Sequence, residues 1–176
     1  MAGKLKTCAT TRAGIAFGSN LGDRLAQLKA ARQRLSALAG IEPPLLASAV
    51  YETEPVNCEP DAPAFLNAVV EIGYSRAPLE LLQELRDIEA ALGRPAAHVR
   101  NVSRTLDLDL LYFGDLEMAR PELQLPHPRM HERRFVLEPL SDIRADLILP
   151  RQELNVATLL QQLPPAQRLV RVTSEW

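Results

Sequence analysis

Residues 104–111 read Arg-Thr-Leu-Asp-Leu-Asp-Leu-Leu, inside an apolar run that extends from Thr105 to Phe113. Read as a strand, this run sends successive side chains to opposite faces. Leu106, Leu108 and Leu110 then face a core, and Asp107 and Asp109 project together from the other side. Their Cα atoms stand roughly 6–7 Å apart. Aspartate is unfavourable in strands, so a pair in the middle of an apolar one calls for a reason. Two such carboxylates hold magnesium, which takes oxygen ligands and keeps several waters. They also suit a pair of ions about 4 Å apart, the arrangement that clamps a phosphoryl group in transit. The plain alternative is a solvent-facing strand with two ordinary aspartates.

Upstream, the stretch from Arg94 to Arg104 has no acidic residue and holds Arg94, His98, Arg100 and Arg104. Arginine meets phosphate oxygens with a planar, bidentate fork. A basic loop that ends at a carboxylate strand supplies the charge neutralisation that phosphoryl transfer needs. Taken alone, Arg94 is better explained by the C-terminus of the helix before it; together with Arg104, Asp107 and Asp109 the phosphate reading prevails. That helix starts near Pro78, carries Leu81, Leu85, Ile88 and Leu92 as an apolar stripe, and stops at Gly93.

The pattern continues toward the N-terminus. Phe65 to Gly73 is a third strand, with Leu66, Ala68, Val70 and Ile72 on one face and Phe65, Asn67, Val69 and Glu71 on the other. Phe65 beside Asn67 offers a ring to stack on a flat heterocycle and an amide to pair with its edge; simple packing explains them as well. Glu54 to Ala64, with its prolines, is a loop, and Leu45 to Thr53 a second strand. Leu21, Leu25, Leu28, Leu35 and Leu38 recur at helical spacing before Gly40. Ala13 to Phe17 is the first strand. Gly18-Ser19-Asn20-Leu21-Gly22-Asp23 follows it as a helix-capping turn or a phosphate loop, and it lacks the Gly-Lys-Ser/Thr of a Walker A motif.

The order strand, helix, strand, strand, helix, strand predicts an α+β fold. It is a ferredoxin-like βαββαβ antiparallel sheet with helices packed on it. Additional C-terminal helices are expected from Met130 into the low 140s and from Val156 to Leu163, after Leu125-Pro126-His127-Pro128. His127 and the Arg133-Arg134 pair admit structural or solvent-facing roles at this level.

The chain has 176 residues, enough for one domain, with 47% hydrophobic and 24% charged residues and a net charge of −2. No global field draws it to nucleic acid or an acidic membrane, so phosphate affinity must come from local clusters. No stretch approaches the ~20 apolar residues of a membrane span. Residues 1–12 lack the apolar block of a signal peptide and read as a lead-in, 13–164 as one domain, and 165–176 as a tail. Cys8 and Cys58 have neither a disulfide framework nor a metal spacing and read as unpaired thiols of a reducing cytoplasm.

Taken together, the residues resemble the 6-hydroxymethyl-7,8-dihydropterin pyrophosphokinase family of folate biosynthesis. The 104–111 stretch is similar to that family's signature. Gly18 to Asp23, Tyr51 to Pro55, Phe65 to Ala68, Ile88-Glu89, Gly93-Arg94, Leu125 to Pro128 and Arg133 to Leu137 match further motifs in order. The resemblance covers Gly14 to Leu163. It implies a cytoplasmic, ATP-dependent enzyme, expected as a monomer, with neither nucleic acid nor membrane as partner. The implied reaction moves pyrophosphate from ATP to the pterin hydroxymethyl group and releases AMP. The resemblance further implies two Mg2+ ions, bound with ATP, on Asp107 and Asp109, and Arg94 and Arg104 as catalytic groups. Thr53, Pro55, Phe65, Asn67 and Phe135 are expected around the pterin, and Glu89, Arg100, His127 and Arg133 around ATP.

Departures from the family pattern are Val102-Ser103 in place of Gly-Pro, Asn101 in place of tryptophan, and Pro128 in place of an aromatic residue. They imply altered loop behaviour. Two other classes compete. An Asp-x-Asp pair also serves sugar-nucleotide transferases and phosphodiesterases, which have no need of the Phe65-x-Asn67 pair. A non-catalytic module on the same sheet would bind a small ligand or RNA. The RNA version wants exposed aromatics and a basic face, against 5% aromatics here.

Overall fold

A computed structural model describes residues 10–54, 62–93, 104–164 and 169–176. The elements are β1 (Thr11–Ser19), α1 (Arg24–Ser36), β2 (Ile41–Ala47), β3 (Val50–Thr53), β4 (Phe65–Tyr74), α2 (Pro78–Ala91), β5 (Asp107–Phe113), β6 (Met118–Ala119), β7 (Gln124–Leu125), α3 (Arg134–Arg144), α4 (Val156–Gln162) and β8 (Leu169–Thr173). The main sheet runs β5-β1-β4-β3-β8, with β2 also on β4, and every pairing is antiparallel. This is the expected α+β, ferredoxin-like arrangement.

One face of the sheet is an aliphatic layer. Ile15 and Phe17 of β1, Ala68, Val70 and Ile72 of β4, and Leu108 and Leu110 of β5 meet Leu28 and Leu35 of α1 and Leu81, Leu85 and Ile88 of α2. These are the stripes read from the sequence. Asp23 caps α1 by accepting the Ala26 N–H at 3.0 Å. The C-terminal helices pack on the opposite face, where Val69, Leu111 and Tyr112 meet Val136, Leu137 and Leu140 of α3 and Val156 and Leu159 of α4.

The structure refines several boundaries. The second strand divides into β2 and β3 because the chain breaks at Ser48, whose Oγ accepts the Val69 N–H at 2.9 Å in place of a regular ladder partner. The helix expected from Met130 begins as a single 3-10 turn, Met130–Glu132, and α3 starts only at Arg134. Arg133 between them is extended, at φ −111° and ψ 105°. Thr11 and Arg12, read as part of the lead-in, belong to β1, where Arg12 Nη2 pairs with the buried Glu71 Oε1 at 2.7 Å. Part of the presumed tail is also structured. β8 pairs with β3, and Trp176 is buried with its Nε1–H donating to Ser48 O at 2.7 Å. Val170 and Val172 are exposed on this edge strand, so no core-facing alternation announced it. Among the described residues no helix is long and apolar enough to cross a membrane.

Candidate active site

Register decides where the polar residues meet. Asp107 of β5 stands opposite Gly18 of β1, Gly18 opposite Asn67 of β4, and Asn67 opposite Tyr51 of β3. The next row holds Asp109, Ala16 and Val69. Directly opposed residues share a face. The carboxylate pair and the Asn67 amide therefore lie on one side of the sheet, two strand spacings or about 10 Å apart. Gly18 between them has no side chain. A Cβ there would lie 3.5 Å from Asn67 Oδ1 and 3.7 Å from the Asp107 Cβ. The floor of the site is thus lowest between its two polar walls.

The Asn67 wall is set by hydrogen bonding. Asn67 Nδ2–H donates to Thr53 Oγ1 at 2.8 Å, and both side chains are buried. Phe65 stands opposite Thr53 and is half-buried. Phe135 in the first turn of α3 is likewise half-buried, with the Arg133 guanidinium 5.5 Å from its ring centre. The far end of α3 is tied down. Tyr51 OH donates to Asp142 at 3.0 Å, the Ala49 N–H donates to Asp142 Oδ2 at 3.0 Å, and Arg144 pairs with Glu71 at 2.5 Å.

The carboxylate wall carries the cations. Arg104 Nη1 lies 3.1 Å from Asp107 Oδ2. Its backbone is held by Asn20, which donates N–H to Arg104 O at 3.1 Å and accepts the Arg104 N–H on Oδ1 at 2.7 Å. Asn20 thereby fastens the end of β1 to the start of β5. Arg133 interacts electrostatically with Asp109 and Asp107; burial and then Arg129 lower its pKa. His127 follows β7, and its own N–H donates to Leu111 O at 2.7 Å. Burial, Arg133 and Arg129 push His127 down to about 4, partly offset by Asp107. Arg104, Asp107, Asp109, His127 and Arg133 thus form one electrostatic cluster.

Glu89, expected around ATP, also serves the strand that carries the aspartates. It is 7% exposed, and its Oε1 accepts the Leu108 N–H at 2.7 Å. Leu108 lies between the two aspartates on an edge strand, so this bond satisfies an outward amide and steadies both carboxylates. Arg134 is also not a free surface cation. Its Nη2–H donates to Leu163 O at 2.9 Å and its Nη1 pairs with Glu138 at 3.3 Å. Arg94, Arg100 and Pro55, like residues 101–103, Cys8 and Cys58, lie outside the described residues. Arg129 was not singled out in the sequence; its place one step beyond His127-Pro128 was the available signal. A cavity of about 350 Å3 lies behind the His127 segment, between β6–β7 and residues 149–152, and neither aspartate lines it.

No group of three or more His, Cys, Asp or Glu side chains that could hold a metal ion occurs among the described residues. A carboxylate pair by itself is a fitting donor set for a hard cation that completes its shell with phosphate and water.

Residues 14–145 match the 7,8-dihydro-6-hydroxymethylpterin-pyrophosphokinase (HPPK) family. The 2-amino-4-hydroxy-6-hydroxymethyldihydropteridine pyrophosphokinase of Bacillus subtilis is 46% identical over 129 residues, covering 73% of this chain and 75% of that one. The Methylorubrum extorquens protein of the same name is 38% identical over 156 residues, 89% of this chain and 96% of its own. The folic acid synthesis protein fol1 of Pneumocystis carinii is 39% identical over 149 residues, but this chain spans only 20% of its length. Among solved structures, Plasmodium falciparum HPPK-DHPS A437G with SDX-DHP superposes with a TM-score of 0.69 at 13% identity, over 89% of this chain and 46% of that one, a likeness of fold. This chain belongs to the 7,8-dihydro-6-hydroxymethylpterin-pyrophosphokinase family.

Proposed function

We propose that the protein transfers pyrophosphate from ATP to the hydroxymethyl group of 6-hydroxymethyl-7,8-dihydropterin, releasing AMP, as a step of folate synthesis. The carrying observation is the row Asp107–Gly18–Asn67, which sets a phosphate-side carboxylate wall and a heterocycle-side amide wall on one face. The pterin hydroxyl oxygen forms a bond to the β-phosphorus. The bond from that phosphorus to the oxygen bridging it to the α-phosphate breaks, AMP leaves, and the hydroxyl proton passes to solvent.

In this reading Asn67, with Thr53 as its buried partner, reads the edge of the pterin, and Phe65 and Phe135 take its faces. Backbone groups near Pro55 complete the edge. Asp107 and Asp109 would hold the two Mg2+ ions that accompany ATP, and the metal would supply neutralisation of phosphate charge and orientation of the phosphates. Arg104 and Arg94 stabilise charge at the transferred group, and Arg133, His127 and Arg100 bind the nucleotide. Glu89 contributes by holding Leu108, and so the strand that presents the carboxylates. Positioning and electrostatics carry most of this chemistry, so no covalent nucleophile is required. The catalytic unit takes in β1 from Thr11 and β8 with Trp176 as well as residues 13–164, and acts in the cytoplasm as a monomer.

The test is AMP release from ATP and magnesium, with and without the pterin. AMP formed only with the pterin supports the assignment. A folded protein that binds ATP and releases no AMP in either case overturns it.

A further inference from the structure

Arg134 stands between two residues of the site, Arg133 and Phe135, and the proposed reaction gives it no task. α3 begins at Arg134 without the usual aids. Its N-cap is Arg133, which makes no side-chain capping bond, and its first turn holds no acidic residue. A helix start carries partial positive charge, so two arginines there are unfavourable neighbours.

α4 supplies what the cap does not. Its beginning is fastened just beyond the end of α3, where the Ala157 N–H donates to Ala145 O at 3.1 Å and the Val156 N–H to Leu147 O at 2.9 Å. Asn155 caps it by accepting the Thr158 N–H at 2.9 Å. α4 then runs back along α3, and its last carbonyls meet Arg134. Arg134 Nη2–H donates to Leu163 O at 2.9 Å and to Leu160 O at 3.3 Å. Nη1 pairs with Glu138, one turn along α3, at 3.3 Å. Carbonyls at a helix end lack intrahelical partners and carry partial negative charge, which a guanidinium satisfies.

We infer that Arg134 is a positioning residue: by seating the first turn of α3 on the end of α4, it sets the places of Arg133 and Phe135 on either side of it. This rests on the roles proposed above for those two residues, at the nucleotide and the pterin, and adds what holds them. The coupling is short. One peptide bond separates Arg134 from each neighbour, and the Arg133 guanidinium lies 5.5 Å from the Phe135 ring centre. The backbone passes at Arg133 from extended to helical, so a shift of the turn redirects both side chains.

Arg134→Met tests this, because it keeps the apolar stem and removes the side-chain donors. Arg144→Met is the control: Arg144 also fastens α3, through Glu71, but at the end away from the site. The variants are compared with the full-length wild type well below their melting temperatures. The first readout is the backbone 1H–15N spectrum of the free protein. The Arg133 and Phe135 amides should move in Arg134→Met and stay in place in Arg144→Met. Unmoved amides in Arg134→Met overturn the inference. The second readout is calorimetric affinity for α,β-methylene ATP with Mg2+, and for the pterin with that analogue present. Arg134→Met should bind both about tenfold more weakly, the scale at which slight misplacement of binding groups tells. Its kcat should stay within about threefold of wild type while KM rises, as for lost uniform binding. Arg134→Lys, which keeps a cation at the end of α4, should recover most of the loss. Lower stability with unchanged affinities, or an equal loss of affinity in Arg144→Met, overturns the inference. A wild type that binds both ligands and releases no AMP faults the proposed reaction, and the spectrum of the free protein still decides the seating of α3.

Discussion

The two faces of the sheet are built on different rules. The face toward α1 and α2 is aliphatic from β5 across to β4, and its energetics come from burial and close packing. The face toward α3 has an apolar patch around Val69 and Leu137, flanked by buried Glu71, Asn67 and Thr53 and, near the edge, by Asp107 and Asp109. Buried polar groups are costly unless paired. Their partners are Arg12, Arg144 and the Tyr112 hydroxyl for Glu71, Thr53 for Asn67, and Arg104 for Asp107, with Arg133 interacting electrostatically with Asp109. Substitution on the aliphatic face should therefore cost stability, and substitution of the partly exposed carboxylates on the second should cost function.

The sharpest test of that contrast is Asp107→Asn or Asp109→Asn. Each should lower AMP release about a thousandfold or more, because several kcal/mol of charge stabilisation is lost. The melting temperature should barely move, since the lost ion pair is partly exposed. Near-normal turnover in either variant would remove these carboxylates from the metal site.

On the other face the expectation reverses. Leu85 of α2 is fully buried, and Leu85→Ala should destabilise the chain by about 2–5 kcal/mol in a denaturant titration. The remaining folded protein should keep its activity. A specific loss of activity without loss of stability would break the division between the faces.

Gly18 tests the floor between the walls. Its Cβ contacts would be ordinary ones, so Gly18→Leu should fold, yet fill the space between Asp107 and Asn67. Its KM for the pterin should rise about tenfold or more, as a pocket penalises misplaced methylenes. An unchanged KM would place the pterin elsewhere.

The smallest effect concerns pH. The chain has three tyrosines, and all three donate to carboxylates: Tyr51 to Asp142, Tyr74 to Glu84 and Tyr112 to Glu71. Burial, followed by these carboxylates, raises all three, Tyr51 from 10.0 to about 12. Because the folded values lie above the unfolded one, the stability is complete below pH ~10 and is lost as pH rises through the folded values. Unfolding followed between pH 9 and 12 should show this decline beginning near 10, with a shallower slope in Tyr51→Phe. An equal slope in that variant would detach Tyr51 from the alkaline loss.

Much of this was legible in the chain because it is local. The alternation of Leu106 to Leu110 named both the core face and the carboxylate face, and the helically spaced apolar stripes of α1 and α2 named their buried sides. Phe65 and Asn67 fell on the site face by the same parity. Glu89 was harder to read. A buried acid on a helix shows its purpose only when the Leu108 amide comes within 2.7 Å of it, 19 residues away. Arg133 and Arg134 are adjacent in sequence. Only the extended backbone at Arg133 separates them, sending one toward the aspartates and the other to the α4 carbonyls.

The sequence by itself determined which residues alternate, which cap and which must be buried, since these follow from side-chain chemistry and the periods of strand and helix. The tertiary structure decided the rest. It set Asp107 in line with Gly18 and Asn67, placed β8 beside β3 and Trp176 on Ser48, and fixed the ring of His127 through an amide of its own turn. Those relations join segments by register and by hydrogen bonds, and neither leaves a periodic mark in the chain.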